Sequence, residues 1–201
     1  MADLPAGFDR AMAALLGIDG WRTDAGERLT YGYDNSRRHA QPDAVALPRE
    51  AAQVQALVRA CREHRVPVVA RGRGTNTTGA AVPVAGGVVV SFERMDQVVD
   101  VRPGDRCAVV QPGVLNGDLQ RALAPHGLFW PPDPTSADYS TVGGNLACNA
   151  GGPRAQRAPS VRQGRELEGR LDHQRQGLHL RRARHLAQRG FDAGHSITVS
   201  L

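Results

Sequence analysis

Two glycine-rich stretches of this sequence combine residue types that can hold an anion or a polar ring. The first reads Arg71-Gly72-Arg73-Gly74-Thr75-Asn76-Thr77-Thr78-Gly79. Glycine permits positive φ, which lets neighbouring backbone N–H groups converge on an anion, while threonine and asparagine side chains add donors. The stretch therefore suits a diphosphate. The chain contains no lysine, which excludes a Walker phosphate loop, and the stretch lacks the G-x-G-x-x-G spacing of a nicotinamide-binding Rossmann fold.

The second stretch has three parts, Asp133-Pro134-Thr135-Ser136, Ser140-Thr141-Val142-Gly143-Gly144-Asn145 and Asn149-Ala150-Gly151-Gly152. The glycine pairs allow the backbone, with exposed N–H groups, to approach a flat ring closely. Hydroxyl and amide side chains beside them would hydrogen-bond the polar edge of that ring. A pair of purely structural turns is the alternative interpretation of the same residues.

The pattern of apolar residues predicts the elements that hold the first stretch. An amphipathic helix is predicted over residues 5–16, and residues 18–41 have no clear period, which predicts a surface loop or a lid. A strand over 45–47, a helix from Pro48 to near Arg65 and a strand over 66–70 then form a β-α-β unit. This unit leads directly into the glycine-rich stretch. Ligands bind at the carboxyl ends of parallel strands, so the stretch lies where a ligand site is expected.

Further strands are predicted over residues 88–92, 98–101 and 108–111. A helix carrying Leu115, Leu119 and Leu123 follows and ends at Gly127. The predicted fold class is α+β, with a small β-α-β subdomain and the start of a second mixed sheet with flanking helices.

Five motifs in order carry a family resemblance: P-V-V-A-R-G-R-G-T-N-T-T-G from Pro67, G-G-V-V-V-S-F from Gly86, V-V-Q-P-G-V from Val109, P-P-D-P-T-S from Pro131 and S-T-V-G-G-N-L-A-C-N-A-G-G from Ser140. Residues 42–154 thereby resemble the FAD-binding domain of the p-cresol methylhydroxylase and vanillyl-alcohol oxidase superfamily (PCMH-type). They most resemble the branch with the glycolate oxidase flavin subunit, D-lactate dehydrogenase and D-2-hydroxyglutarate dehydrogenase.

The resemblance implies FAD as the cofactor and assigns residues to it. Residues of the first stretch would hold the diphosphate, and those of the second would line the ribityl chain and the isoalloxazine. Some relatives tether FAD through a histidine in the first stretch; Thr75 stands in that region here, so non-covalent binding is expected. No catalytic residue and no metal ligand is assigned. The implied cofactor-binding residues are Arg71, Gly72, Arg73, Gly74, Thr75, Asn76, Thr77, Gly79, Pro134, Thr135, Ser136, Gly143, Gly144, Asn145, Asn149, Ala150, Gly151 and Gly152.

In the family a 2-hydroxy acid delivers a hydride equivalent to flavin N5, and electrons pass to another acceptor, in some members through a partner redox subunit. We expect this chain to be the FAD-binding portion of such an oxidoreductase, without the substrate domain and inactive alone. The alternative is a non-catalytic binding module on the same scaffold, whose basic tail contacts nucleic acid or an acidic partner.

Charge and composition divide the chain into residues 1–41 (an amino-terminal helix and loop), 42–154 (a partial FAD-binding domain) and 155–201 (an arginine-rich tail). The net charge of +5 arises in the tail, where 9 arginines face 4 acidic residues, because 16 arginines balance 16 acidic residues before it. Family motifs stop at about residue 155. A reading-frame shift in a GC-rich gene explains both the change in composition and the loss of the family motifs, and it is favoured over a nucleic-acid-binding tail. The leucines of residues 163–189 remain compatible with a helix.

The remaining features predict a soluble cytoplasmic protein. Cys61, Cys107 and Cys148 lie more than forty residues apart and form neither a zinc motif nor a disulfide framework. Asp3, Asp9 and Arg10 interrupt the amino terminus where a signal peptide needs an apolar run. No apolar segment is long enough to cross a membrane.

Overall fold

A computed structural model describes residues 4–152 and 197–200. Two compact units divide the chain, the first ending at Met95 and the second beginning at Asp96. The expected helix over residues 163–189 lies outside the described residues.

The first unit contains a four-stranded mixed sheet in the order β1-β2-β4-β3. Strands β2 and β3 both run parallel to β4, which lies between them, and β1 is antiparallel to β2. All three valines of β4 are buried, as is typical of a central parallel strand covered on both faces. Its strands are β1 (Trp21–Arg22), β2 (Ala44–Ala46), β3 (Val68–Arg71) and β4 (Val88–Ser91).

Three helices accompany this sheet: α1 (Phe8–Leu16), α2 (Ala25–Thr30) and α3 (Ala51–His64). Phe8 and Met12 of α1 and Leu57 and Cys61 of α3 are buried in one apolar core with strand residues. Their spacing of four residues places each pair on one helical face. Helix α3 ends at His64, the next residue Arg65 adopts the left-handed conformation, and the chain then enters β3.

The second unit has a three-stranded antiparallel sheet in the order β5-β6-β7. Its elements are β5 (Val98–Arg102), β6 (Cys107–Val110), α4 (Asn116–Leu123), α5 (Val142–Ala147) and β7 (Ile197–Ser200), with 3-10 turns over Pro103–Asp105 and Ala124–His126. Leu119, Leu123, Trp130 and Val142 pack with Ala108 and Val110 of β6 in one core cluster.

The α+β fold class is confirmed, and so are the predicted helices and the strands before residue 111, within a few residues at their ends. The sheet of the second unit is antiparallel throughout its described strands, so the mixed sheet is the first one. Residues 18–41 include β1 and α2, which the absence of a period did not predict. In the tail, residues 197–200 form β7 and pair with β6.

Within the described ranges, no helix has the length and apolar character needed to cross a membrane.

Candidate functional site

The first glycine-rich stretch follows β3 directly, at the carboxyl end of the parallel strands. Among the hydrogen bonds of the described residues, none uses the backbone N–H of residues 72–77 as donor. Residues 72–77 are exposed or half-buried, so their amides are open to water or to a ligand. The donor set therefore fits an anion with several oxygens, such as a diphosphate.

Three predicted site residues in this stretch, Asn76, Gly74 and Gly79, determine the conformation of the loop itself. The Asn76 side-chain carbonyl accepts from the Thr78 N–H at 3.1 Å, from the Thr78 hydroxyl at 3.1 Å and from the Ala80 N–H at 3.2 Å. This is an Asx turn extended by one further donor. Gly74 and Gly79 have φ of 66° and 84°, which glycine adopts without strain. The Asn76 carbonyl is thus occupied within the loop.

Arg71 is placed differently from its neighbour Arg73. The Arg71 side chain is buried and its Nη1 donates to the Tyr33 carbonyl at 2.6 Å, whereas Arg73 is exposed. Desolvation lowers the pKa of Arg71, and the nearby Tyr33, Tyr31 and carboxylates oppose that shift. A guanidinium nevertheless stays charged in a protein, so both arginines contribute positive potential at the loop.

Sequence reasoning missed the segment that supports this loop. Asp34 is buried, and its carboxylate accepts from the Ser36 N–H at 2.9 Å and the Ala81 N–H at 3.4 Å. Desolvation raises the pKa of Asp34, but hydrogen bonds from Ser36, Ala81 and Asn76 outweigh it and lower the pKa overall. The sequence Asp34-Asn35-Ser36 is a recognisable Asx-turn signal, although its contact with residues more than forty positions away is not encoded locally.

The second predicted stretch lies in the second unit, and the structure corrects its local conformation. Gly143 and Gly144 belong to helix α5 and not to a tight turn. The Gly143 N–H donates to the Pro112 carbonyl at 2.9 Å, and the Gly144 N–H donates to the Thr141 hydroxyl at 3.2 Å. The expectation that these two amides are free to meet a ring is therefore wrong.

Other parts of the second stretch do come together. The Asp133 N–H donates to the Gly151 carbonyl at 2.8 Å, and a Cβ on Gly152 would collide with the Asp133 carbonyl and the Pro134 nitrogen. The Ala150 N–H donates to the Asn145 carbonyl at 2.8 Å. Residues 133–134 and 145–152 thus form one neighbourhood. The backbone carbonyl of Ser136 accepts hydrogen bonds from the N–H groups of Tyr139 and Ser140.

Buried polar atoms without a partner mark the same part of the second unit. In the second unit they are Asn145 Nδ2, Ser140 Oγ, Asn116 Oδ1 and Trp130 Nε1, on residues that are 3 % exposed or less. Asn116 lies beside the second stretch, because its backbone N–H donates to the Ser140 carbonyl and its side-chain Nδ2 donates to the Pro132 carbonyl. Buried polar groups are normally satisfied, so a donor, an acceptor and a hydroxyl left open fit a ligand with a mixed polar edge. The edge of a flavin has that character.

No cluster of three or more metal-binding side chains occurs among the described residues.

Comparison with known proteins agrees with this geometry. The sequence profile of the FAD binding domain matches residues 42–167, which is more than half of the chain. Glycolate oxidase subunit GlcD of Bacillus subtilis is 44% identical over 128 residues, covering 63% of this chain and 27% of that protein. D-2-hydroxyglutarate dehydrogenase of Stutzerimonas stutzeri is 43% identical over 131 residues, covering 65% of this chain and 28% of that protein.

Solved structures show the same fold. Alkyldihydroxyacetonephosphate synthase aligns with a TM-score of 0.72 at 26% identity, covering 79% of this chain and 34% of that one. p-Cresol methylhydroxylase aligns with a TM-score of 0.61 at 25% identity, covering 74% and 32%. The chain spans about a quarter of the length of the curated relatives named above.

Proposed function

Since the chain belongs to the FAD binding domain family, we propose that it binds FAD non-covalently and is the cofactor-binding portion of an oxidoreductase acting on 2-hydroxy acids. The observation that carries this proposal is the run of amides at residues 72–77 without acceptors at the end of β3. When bound, FAD would supply the capacity to accept a hydride equivalent from the substrate.

This chain's residues would bind and orient the cofactor. The amides of residues 72–77 and the exposed Arg73 would hold the diphosphate. Asn145, Ser140 and Asn116 would meet polar atoms of the flavin or the ribityl chain with their unpaired groups. Thr135 and Ser136, with Asn149 and Gly151, remain proposed lining residues on the strength of the family resemblance.

The substrate class is proposed from the names of the relatives. Glycolate, D-2-hydroxyglutarate and D-lactate, the substrates in those names, all carry a hydroxyl beside a carboxylate. The roles proposed above for the described residues concern the cofactor alone. Oxidation of such an acid would therefore require groups beyond those described, from a longer chain or a partner redox subunit.

Spectroscopy of the purified 201-residue chain tests FAD binding. We expect the two visible absorption bands of oxidised flavin after reconstitution with FAD, and release of all flavin into the supernatant after acid precipitation. Riboflavin, which lacks the diphosphate, is the matched ligand control and should bind far more weakly. Protein that stays colourless with excess FAD would contradict the proposal, and flavin that precipitates with the protein would contradict the non-covalent part.

The boundary at residue 155 also remains a proposal, made on composition. The family profile matches as far as residue 167, twelve residues beyond that boundary. Sequencing the gene and its transcript tests the proposed frame shift. An uninterrupted frame through residues 155–201, with no family sequence in the other frames downstream, would contradict it.

A further inference from the structure

Arg71 ends β3 and turns its side chain into the protein. Its side chain is 7 % exposed, Nη1 donates to the Tyr33 carbonyl, and Cζ lies 5.8 Å from the ring centroids of both Tyr31 and Tyr33. Tyr31 is itself fixed, because its hydroxyl donates to Glu93 Oε1 at 2.9 Å. The guanidinium is thus held along one edge by a carbonyl and approached by two aromatic rings.

The glycine-rich loop rests directly on this guanidinium. A Cβ built on Gly74 would lie 2.5 Å from Arg71 Nη2 and 2.7 Å from Cζ. No side chain fits between the loop and the arginine, and Gly74 also has the positive φ that disfavours other residues. The Arg71 guanidinium therefore limits how closely the loop backbone at Gly74 can approach.

Residues 31–36, which contact the Arg71 side chain, also form hydrogen bonds with residues on both sides of the glycine-rich loop. The Asn35 N–H donates to the Asn76 carbonyl at 3.1 Å, and Asn35 Nδ2 reaches the Thr75 carbonyl at 3.4 Å. On the far side, the Asp34 carboxylate accepts from the Ala81 N–H. Residues 31–36 lie outside the range 42–167 that the family profile matches.

We propose that Arg71 is a positioning residue, which with residues 31–36 fixes the glycine-rich loop in the conformation that presents its amides, and that it does not bind the diphosphate itself. This inference rests on the proposed FAD function and deepens it. In this proposal Arg73, and not Arg71, provides the positive charge that interacts directly with the diphosphate. If Arg71 acts through the hydrogen bonds of its planar guanidinium and the contacts of its faces with aromatic rings, lysine cannot replace it. If Arg71 supplied only a positive charge, lysine could replace it.

Amide hydrogen exchange of the 201-residue chain without cofactor tests the positioning role. We compare R71K and R71A with R73A, a matched arginine two residues away. In both Arg71 variants the Tyr33 carbonyl loses its hydrogen bond from the guanidinium, which should release residues 31–36. The amides of Asn35 and Ala81 should then exchange about tenfold faster or more. R73A should leave them unchanged.

Three results would overturn the proposal. One is wild-type protection in R71K, which would show that charge alone suffices. Another is equal loss in R73A. The third is equal acceleration throughout helix α3, which would show that Arg71 only stabilises the first unit as a whole.

Cofactor titration adds a second measurement. R71K should weaken FAD binding about tenfold or more at both low and high salt, because geometry is lost, whereas the deficit of R73A should shrink as salt screens its charge. G74A should weaken binding less in an R71A background, where the added Cβ meets no guanidinium; equal losses in both backgrounds would refute the contact. If the wild-type chain binds no FAD, the proposed function fails while hydrogen exchange still decides the role of Arg71.

Discussion

Adding a single methyl group at Gly143 should displace helix α5, although alanine is the better helix former. A Cβ there would lie 2.8 Å from both the Cβ and the carbonyl oxygen of Pro112, the carbonyl that accepts the Gly143 N–H. Gly117 provides a matched control because it is also the second residue of a helix and also donates its N–H to an outside carbonyl, that of Ala137. A Cβ on Gly117 would find its nearest atoms at 3.4 Å or more, which is ordinary contact.

The expected magnitudes follow from two opposing effects. Replacing glycine by alanine in a helix stabilises it by about 0.5–1 kcal/mol, and G117A should show this gain. G143A makes the same gain but forces Pro112 and α5 apart, which costs about 1–3 kcal/mol for overpacking. Since the propensity gain is common to both variants, their difference in free energy of unfolding isolates the packing cost. We expect G143A to be less stable than G117A by about 1–3 kcal/mol.

Urea unfolding followed by tryptophan fluorescence measures this difference. The chain has two tryptophans, Trp21 and Trp130, so the W21F background leaves Trp130, which is buried in the second unit, as the reporter. Equal stability of G143A and G117A would refute the close docking of α5 on Pro112. Loss of stability in both variants would instead refute the assignment of Gly117 to an open helical position.

Three further predictions concern titratable side chains. Desolvation, and then the hydrogen bond and charge of Glu93, raise the pKa of Tyr31 to about 12, so Y31F should remove a phenol ionisation near that pH in ultraviolet titration. The stabilisation from neutral Tyr31 should persist below its ordinary pKa and disappear as the pH rises toward 12. Desolvation raises the pKa of Cys61 to about 11, so a thiol reagent should label exposed Cys148 in the folded chain and Cys61 only on unfolding, as judged by mass spectrometry; labelling of both at one rate would contradict the structure. The Asp34 pKa is lowered, so its stabilising effect should be present above the ordinary aspartate pKa and fade as the pH falls below it. D34N should flatten that acid dependence of the urea midpoint, and an unchanged slope would count against the buried carboxylate.

Local sequence patterns predicted the helices and strands that depend mainly on neighbouring residues in the chain. Helix α3 followed from apolar residues at helical spacing, and the structure buries Leu57 and Cys61 on one face of it. The following strand begins at Val68 and not at Val66, because Pro67 has no N–H to add to a ladder. The position of β4 between β2 and β3 depends on pairing between residues distant along the chain, so no local period could reveal it.

Glycine was the least reliable guide, because one residue type has several physical uses. The Gly143–Gly144 pair lies in a stretch that we predicted to be a loop, with tight turns as the alternative interpretation, but close docking against Pro112 favours glycine within helix α5. Tertiary contact overrides propensity there. For residues 31–36 the sequence showed an Asx turn and little else, since the partners Arg71 and Asn76 lie about forty residues away.

The two candidate binding regions leave polar groups open in different ways, and glycine has a different task in each. In the first unit, Gly74 gives the loop its left-handed conformation and its close approach to Arg71, and the amides of residues 72–77 are left without acceptors. In the second unit, the glycine amides of α5 are satisfied, and the open groups are buried side-chain atoms of Asn145 and Ser140. Binding at the first region should therefore tolerate changes of side chain and fail when the backbone moves. Binding at the second should depend on the side chains themselves, because an apolar substitute there removes the group that would meet the ligand.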